Sequence, residues 1–238
     1  MNAYLMSAGC AMRLRPVTEK IAKCLLPIGG VPILDHWLTA IIGSGQFENI
    51  YVNVHHCAEQ VESWVGRFSE LSRHPIQIID EREKLLGTAG TLFWHGDSSQ
   101  DFMLVYTDTY SRDFIRGLRN IAEFWKLNPD KPLAGLVTMN LPQDGSAAAI
   151  ETDFMGNVLS FKEKSMTSGA VIGWAGIMFG RRDFFDQISR EDFDLARNVL
   201  PRLCGRIRVI SHVDAYDIGR SLDKYADADG KIFPTRSH

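Results

Sequence analysis

Four times between residues 2 and 127 a short apolar run is followed by a longer amphipathic or glycine-opened stretch. That alternation restricts the chain to a mostly parallel sheet with helices on both faces. "NAYLMSA" predicts a strand, and "PILDHWLTAIIGSG" a helix stopped by its glycines. "NIYVNV" and "AEQVESWVGRFSEL" repeat the unit, as do "IQIID" with "GTAGTLFWHG" and "FMLVYTD" with "FIRGLRNIAEFWKL". Beyond about Lys131 the pattern changes to "LAGLVTMN", "AAAIETD", "NVLSFKEK" and "AVIGWAGIMFG", which read as strands with some antiparallel pairing. A short helical region and "RIRVISHV" follow. With 238 residues, 45% of them hydrophobic, one sizeable core can be buried. The expected architecture is a single α/β domain over residues 1–238, a doubly wound, Rossmann-like mixed sheet without internal repeat or low-complexity linker.

Charge and cysteine usage exclude several classes of function. The net charge is −3 and both signs are interspersed, so no basic field points to nucleic acid or to an anionic membrane. No apolar run approaches the ~18 residues of a membrane span, and the start lacks a signal-peptide pattern. Cys10, Cys24, Cys57 and Cys204 are scattered, with neither metal spacing nor disulfide density, and read as free thiols of a cytoplasmic protein. The expected partners are small molecules, and a homo-oligomer is left open.

The first strand runs into "MSAGCAMRLRPVTEKIAKCLLPIGG", a stretch without helical or strand period that gathers small residues and cations. In open parallel sheets ligands sit beyond the carboxyl ends of the strands, where this loop lies. Ser7, Ala8 and Gly9 would let backbone N–H groups approach an anion, and Arg13 and Lys23 would add charge-assisted contacts to phosphate. An ordinary βα turn with solvated basic residues is the competing reading. No Gly-Lys-Ser/Thr follows, so it is not a Walker loop, and the later glycines of a dinucleotide fingerprint are missing. His55 and His56 close the "YVNVHH" strand without a third ligand at metal spacing, which favours structural or pocket-edge roles over zinc.

These segments together resemble the sugar-nucleotide nucleotidyltransferases, which join a sugar 1-phosphate to a nucleoside triphosphate. That family opens with Leu-Ala-Ala-Gly-x-Gly-Thr-Arg-Leu-x-Pro-Leu-Thr, then Pro-Lys-x-Leu-Leu-Pro and Gly-x-Pro-Ile-Leu. Here "MSAGCAMRLRPVT" and "AKCLLPIGGVPIL" match, followed in order by "LGTAGTL", "VYTD", "FKEK" and "YDIG", from about Met1 to Ala228. The chain departs at Ala11, Met12 and Ala22, at Tyr106-Thr107 in place of Asn-Gly, and at Trp174 in place of an asparagine. Ala11 adds a methyl and Met12 removes a hydroxyl where the triphosphate would be gripped.

The resemblance implies a division of labour. Residues Ser7, Ala8, Gly9, Cys10, Ala11, Met12 and Arg13 would hold the triphosphate, and Gly87, Thr88, Ala89 and Gly90 the nucleobase. Lys23 would meet the phosphates at the reacting centre, and Asp108 with Asp217 a magnesium ion. Thr107, Glu163, Lys164, Trp174 and Gly176 would form the sugar side. Residues 1–130 would thus be a nucleotide half and 131–238 a sugar-phosphate half. The Leu-Gly-Thr-Ala-Gly form resembles guanylyltransferases acting on mannose or heptose 1-phosphate, so GTP is the expected nucleotide. No attached β-helix, acyltransferase or isomerase module is expected.

Read singly, several of these residues have plainer uses. Asp108 suits a helix N-cap, Asp217 a turn, the glycines of "LGTAG" close helix packing, and Glu163 with Lys164 a solvated cluster. The departures also fit a catalytically weak relative that binds a sugar nucleotide and regulates or scaffolds a partner. A glycosyltransferase would usually show Asp-x-Asp, and "TDTY" lacks the second acid.

Overall fold

The structure is a computed structural model that describes residues 1–142, 147–163, 172–219, 221, 223, 225 and 226. The strands are β1 (Asn2–Met6), β2 (Pro27–Ile28), β3 (Val31–Pro32), β4 (Asn49–Val54), β5 (Ile76–Asp80), β6 (Phe102–Tyr106) and β7 (Thr109–Tyr110). They continue with β8 (Ala134–Asn140), β9 (Ala149–Thr152), β10 (Val158–Lys162), β11 (Ile172–Gly180), β12 (Ile207–His212) and β13 (Tyr216–Asp217). The helices are α1 (Ile33–Ser44), α2 (Ala58–Ser72), α3 (Gly87–His95) and α4 (Arg112–Leu127).

Nine strands form one sheet. β5, β4, β1 and β6 run parallel side by side, and β11 enters antiparallel to β6. β8 pairs antiparallel with the other edge of β11, and β12 pairs parallel with β8. The mixed doubly wound sheet expected from the sequence is therefore the observed one. Successive side chains of a strand point to opposite faces, and β1 shows the consequence. Ala3 and Leu5 join the core under α1, α2 and α4, whereas Tyr4 and Met6 join the core under α3 and residues 184–203. Both faces are covered, which is why these strands read as continuous apolar runs rather than alternating ones.

Two details position the site. β11 pairs with β9 at Ile172–Gly173 and with β6 at Ile177–Gly180, with a register shift between Trp174 and Ile177. The sheet forks there, and Gly176 has the positive φ of 74° that such a bulge demands. The second detail is a two-stranded ladder outside the main sheet, in which Tyr216 pairs with Tyr110 and Asp217 with Thr109. Neither β7 nor β13 carries a periodic signal, being two residues long.

Candidate active site

The phosphate-loop candidate leaves β1 next to the end of β6, because Met6 and Tyr106 are partners in the parallel ladder. As far as Leu25 it contains only short 3-10 turns, at Met12–Leu14, Val17–Glu19 and Lys23–Leu25. Its backbone is held largely by side chains. The Ser7 and Ala8 amides both donate to Asn53 Oδ1, at 2.6 and 3.1 Å. The expectation that these two amides face an anion is corrected, since Asn53 takes them. Asn53 Nδ2 donates in turn to Glu81 Oε1 (2.9 Å), whose other oxygen accepts the Leu86 amide at 3.0 Å. Thr91 Oγ1 donates to the same Glu81 oxygen at 2.5 Å. Glu81 is buried at 2% exposure, so this network ties the loop after β1 to the start of α3.

Ala11 sits in the left-handed region at φ 46°, ψ 38°. Glycine adopts that conformation freely, and a Cβ there costs of order 1 kcal/mol. Its carbonyl accepts the Leu14 amide and the Thr18 hydroxyl, which fix the turn that presents Arg13. Met12 and Arg13 are exposed, and Cys10 is half-buried.

Asp108 follows β6, and the Ile218 amide donates to its carbonyl at 2.9 Å. The β7·β13 ladder thereby carries Asp217 to Asp108 across more than 100 residues of sequence. Lys23 Nζ forms an ion pair with Asp108 Oδ2, and Asp217 Oδ1 accepts the Gly219 amide at 2.8 Å. A Cβ on Gly219 would overlap the Lys23 ammonium and lie 3.1 Å from Asp108 Oδ2. Gly219 is thus a site residue, and its signal was the third residue of "DIG". Among the described residues no group of three or more His, Cys, Asp and Glu side chains is arranged to hold a metal ion. His55 and His56 instead donate to the backbone carbonyls of Glu81 and Thr18, each at 2.8 Å.

At the fork of the sheet a cavity of about 210 Å³ brings together Arg13, Asp108, Glu163, Trp174, Gly176 and Asp217. Tyr106 and Asp194, which sequence reasoning did not select, also face it. Trp174 and Tyr106 meet edge to face with ring centroids 5.1 Å apart. The Trp174 indole donates to the Ile177 carbonyl (2.9 Å) and the Tyr106 hydroxyl to Thr88 Oγ1 (3.1 Å), so the two present mainly carbon to the cavity. Burial pushes the Tyr106 phenol well above its ordinary range, which keeps it a donor. Gly176 has its Cα against Tyr106, where a Cβ would approach the Tyr106 Cβ to 3.1 Å.

Three other expectations need correction or lie elsewhere. Thr107 is buried at 3% exposure, and its hydroxyl bonds to the Met6 carbonyl and the Ser7 hydroxyl rather than lining the cavity. Gly87, with φ 73°, packs so closely under residue 193 that a Cβ would overlap the Phe193 carbonyl. Gly90 lies against Leu86 and Asp192, the Ala89 amide donates to the Phe193 carbonyl, and Thr88 Oγ1 accepts the Leu195 amide. The glycines of "LGTAG" therefore serve close packing on residues 192–195, and the face turned to that segment is not open to a base. Asp192 is pinned there by Arg202, whose guanidinium draws its carboxyl down to about 2. Lys164 lies outside the described residues.

Comparison with known proteins fits this geometry. The chain is 30% identical over 222 residues to a UTP–glucose-1-phosphate uridylyltransferase of Synechocystis sp., covering 85% of this chain and 55% of that protein. It is 27% identical over 221 residues to a mannose-1-phosphate guanylyltransferase of Mycobacterium tuberculosis, covering 90% and 59%. The chain thus spans little more than half the length of these curated relatives. Its fold matches the crystal structure of HddC from Yersinia pseudotuberculosis with a TM-score of 0.76 at 19% identity, covering 97% of this chain and 99% of that one. The pattern described as Nucleotidyl transferase matches residues 2–198, and the chain belongs to that family.

Proposed function

We propose that the protein transfers a nucleotidyl group from a nucleoside triphosphate to a sugar 1-phosphate, giving a nucleotide sugar and pyrophosphate. The observation that carries this is the convergence, through the β7·β13 ladder, of Asp217 on Asp108, the partner of Lys23, in a cavity shared with Arg13 and Glu163. A sugar 1-phosphate is already ionised at neutral pH, so one of its oxygens attacks the α-phosphorus without a dedicated base. The bond to the β-phosphate oxygen breaks and pyrophosphate leaves from the opposite side. What the protein must do is align anions and offset their repulsion. Arg13 takes the departing phosphates, Lys23 the reacting phosphate, and Glu163 accepts hydrogen bonds from sugar hydroxyls. The Tyr106–Trp174 wall packs against the sugar ring, with residues 1–130 serving mainly the nucleotide and 131–238 the sugar.

Asp108 and Asp217 suit magnesium, because two carboxylates plus substrate phosphate and water match the oxygen donors that ion prefers. When bound it neutralises phosphate charge as a Lewis acid. GTP is the proposed nucleotide. A guanylyltransferase among the relatives supports it, although a uridylyltransferase relative is more identical in sequence. Four free thiols support a cytoplasmic setting. A thermal-shift panel tests the base. GTP at ~100 times its dissociation constant should add about 2.7 kcal/mol of stability, and stabilisation by UTP with none by GTP would replace the guanylyl reading with a uridylyl one.

A second reading is a sugar-nucleotide-binding regulator with weak catalysis. The strained Ala11 and the carbon wall of Tyr106 and Trp174 favour it. Retention of Arg13, Lys23, Asp108 and Asp217 favours the enzyme.

A further inference from the structure

Lys23 is the cation paired with Asp108, yet its own segment has no strand or α-helix to hold it. Residues 20–22 lie between two 3-10 turns. What fixes them comes from the opening turns of α2 and the residues before it. Gln60 Oε1 accepts the Ala22 amide at 3.2 Å, and Gln60 Nε2 donates to the Lys20 carbonyl at 2.7 Å. One side-chain amide therefore pairs with the backbone on both sides of Ile21, as a neighbouring strand would. Four residues earlier His56 donates to the Thr18 carbonyl, and Thr18 donates to the Ala11 carbonyl at 2.8 Å. Gln60 is solvent-exposed and does not line the cavity.

We propose that Gln60 is a positioning residue for Lys23: by bracketing Ile21 it sets the direction in which the next-but-one residue sends its ammonium to Asp108. The inference rests on the nucleotidyl-transfer reading for its consequence, though not for its geometry. This side-chain amide has two bonds to lose at once, and the one it accepts from the Ala22 amide lies one residue from Lys23. A misplacement of about 1 Å at a reacting centre costs up to roughly 100-fold in rate. Because Gln60 is exposed, its removal leaves no cavity in the core.

The test compares the wild type with Gln60→Ala and Gln60→Glu in the full chain. Gln60→Ala should lower kcat by roughly 10- to 100-fold, with the KM for nucleotide within about twofold and the melting temperature nearly unchanged. Gln60→Glu keeps an acceptor for the Ala22 amide but sets a carboxylate oxygen against the Lys20 carbonyl, so it should recover only part of the loss. Independently of turnover, acylation of Lys23 by acetic anhydride, read by mass spectrometry, should be faster in Gln60→Ala, because the ammonium is no longer held on Asp108. Equal turnover with equal Lys23 labelling would overturn the proposal, and so would a change in KM alone. If the wild type turned over no substrate pair, the functional reading would fall, and Lys23 labelling would still decide the clamp: faster in the alanine variant upholds it, unchanged overturns it.

Discussion

Two loops of this chain are rich in glycine and alanine, and they use those residues in opposite ways. In the loop after β1, Gly9 is exposed and a Cβ built on it would meet nothing within 4 Å. In the loop that opens α3, a Cβ on Gly87 would overlap the carbonyl of Phe193, and the residue needs positive φ as well. The first loop leaves that space open, where the proposed function puts phosphate. The second gives its space to the protein itself, to the segment that Asp192 and Arg202 brace against α3. The two loops look alike in sequence, and only the structure shows that backbone comes close in the second.

That contrast breaks if substitutions in the two loops have like effects. Gly87→Ala should be the most damaging, since it combines an unfavourable φ with overpacking against fixed backbone. A loss of roughly 3 kcal/mol, or a fall of about 6–12 °C in melting temperature, is expected by calorimetry. Gly9→Ala should leave the melting temperature within a degree or two. Arg13→Ala should also leave the fold alone while weakening triphosphate binding about 10- to 100-fold by titration calorimetry, the loss of charged hydrogen bonds. Full affinity in that variant would move the phosphate site elsewhere. The smallest effect sharpens the comparison. Ala11→Gly relieves the left-handed strain, partly offset by the greater freedom of glycine in the unfolded chain, and should raise stability by roughly 0.5–1 kcal/mol.

The main sheet was legible because its physics is periodic. "NIYVNV" and "FMLVY" are buried on both faces, α1 ends at Gly45 in the left-handed region, and α4 begins on Ser111, whose hydroxyl accepts the Phe114 amide. The charged site residues were legible as chemistry. Their meeting was expected only through the family resemblance, because it depends on a ladder of two residues per strand that no pattern announces. Thr107 and the "LGTAG" glycines were read toward ligand because a small or polar residue at a strand end looks the same whether it faces solvent or a neighbour. One signal was available and unread: Asn53, an amide inside the otherwise apolar end of β4, is buried at 4% exposure and demands partners, which are the Ser7 and Ala8 amides.

The proposed nucleotidyl-transfer site joins Asp108, Asp217, Lys23 and Arg13. Its most direct test is release of pyrophosphate from a panel of nucleoside triphosphates and sugar 1-phosphates, for the wild type and for Asp108→Asn, with Mg²⁺ and with EDTA. Asparagine keeps the shape and removes a charge at a partly exposed position, so the melting temperature should hold while turnover falls roughly 10²- to 10³-fold. EDTA should silence the wild type and added Mg²⁺ restore it. Metal-independent release, or an Asp108→Asn protein turning over like the wild type, would contradict the account, and absence of turnover with every pair would favour the regulatory reading.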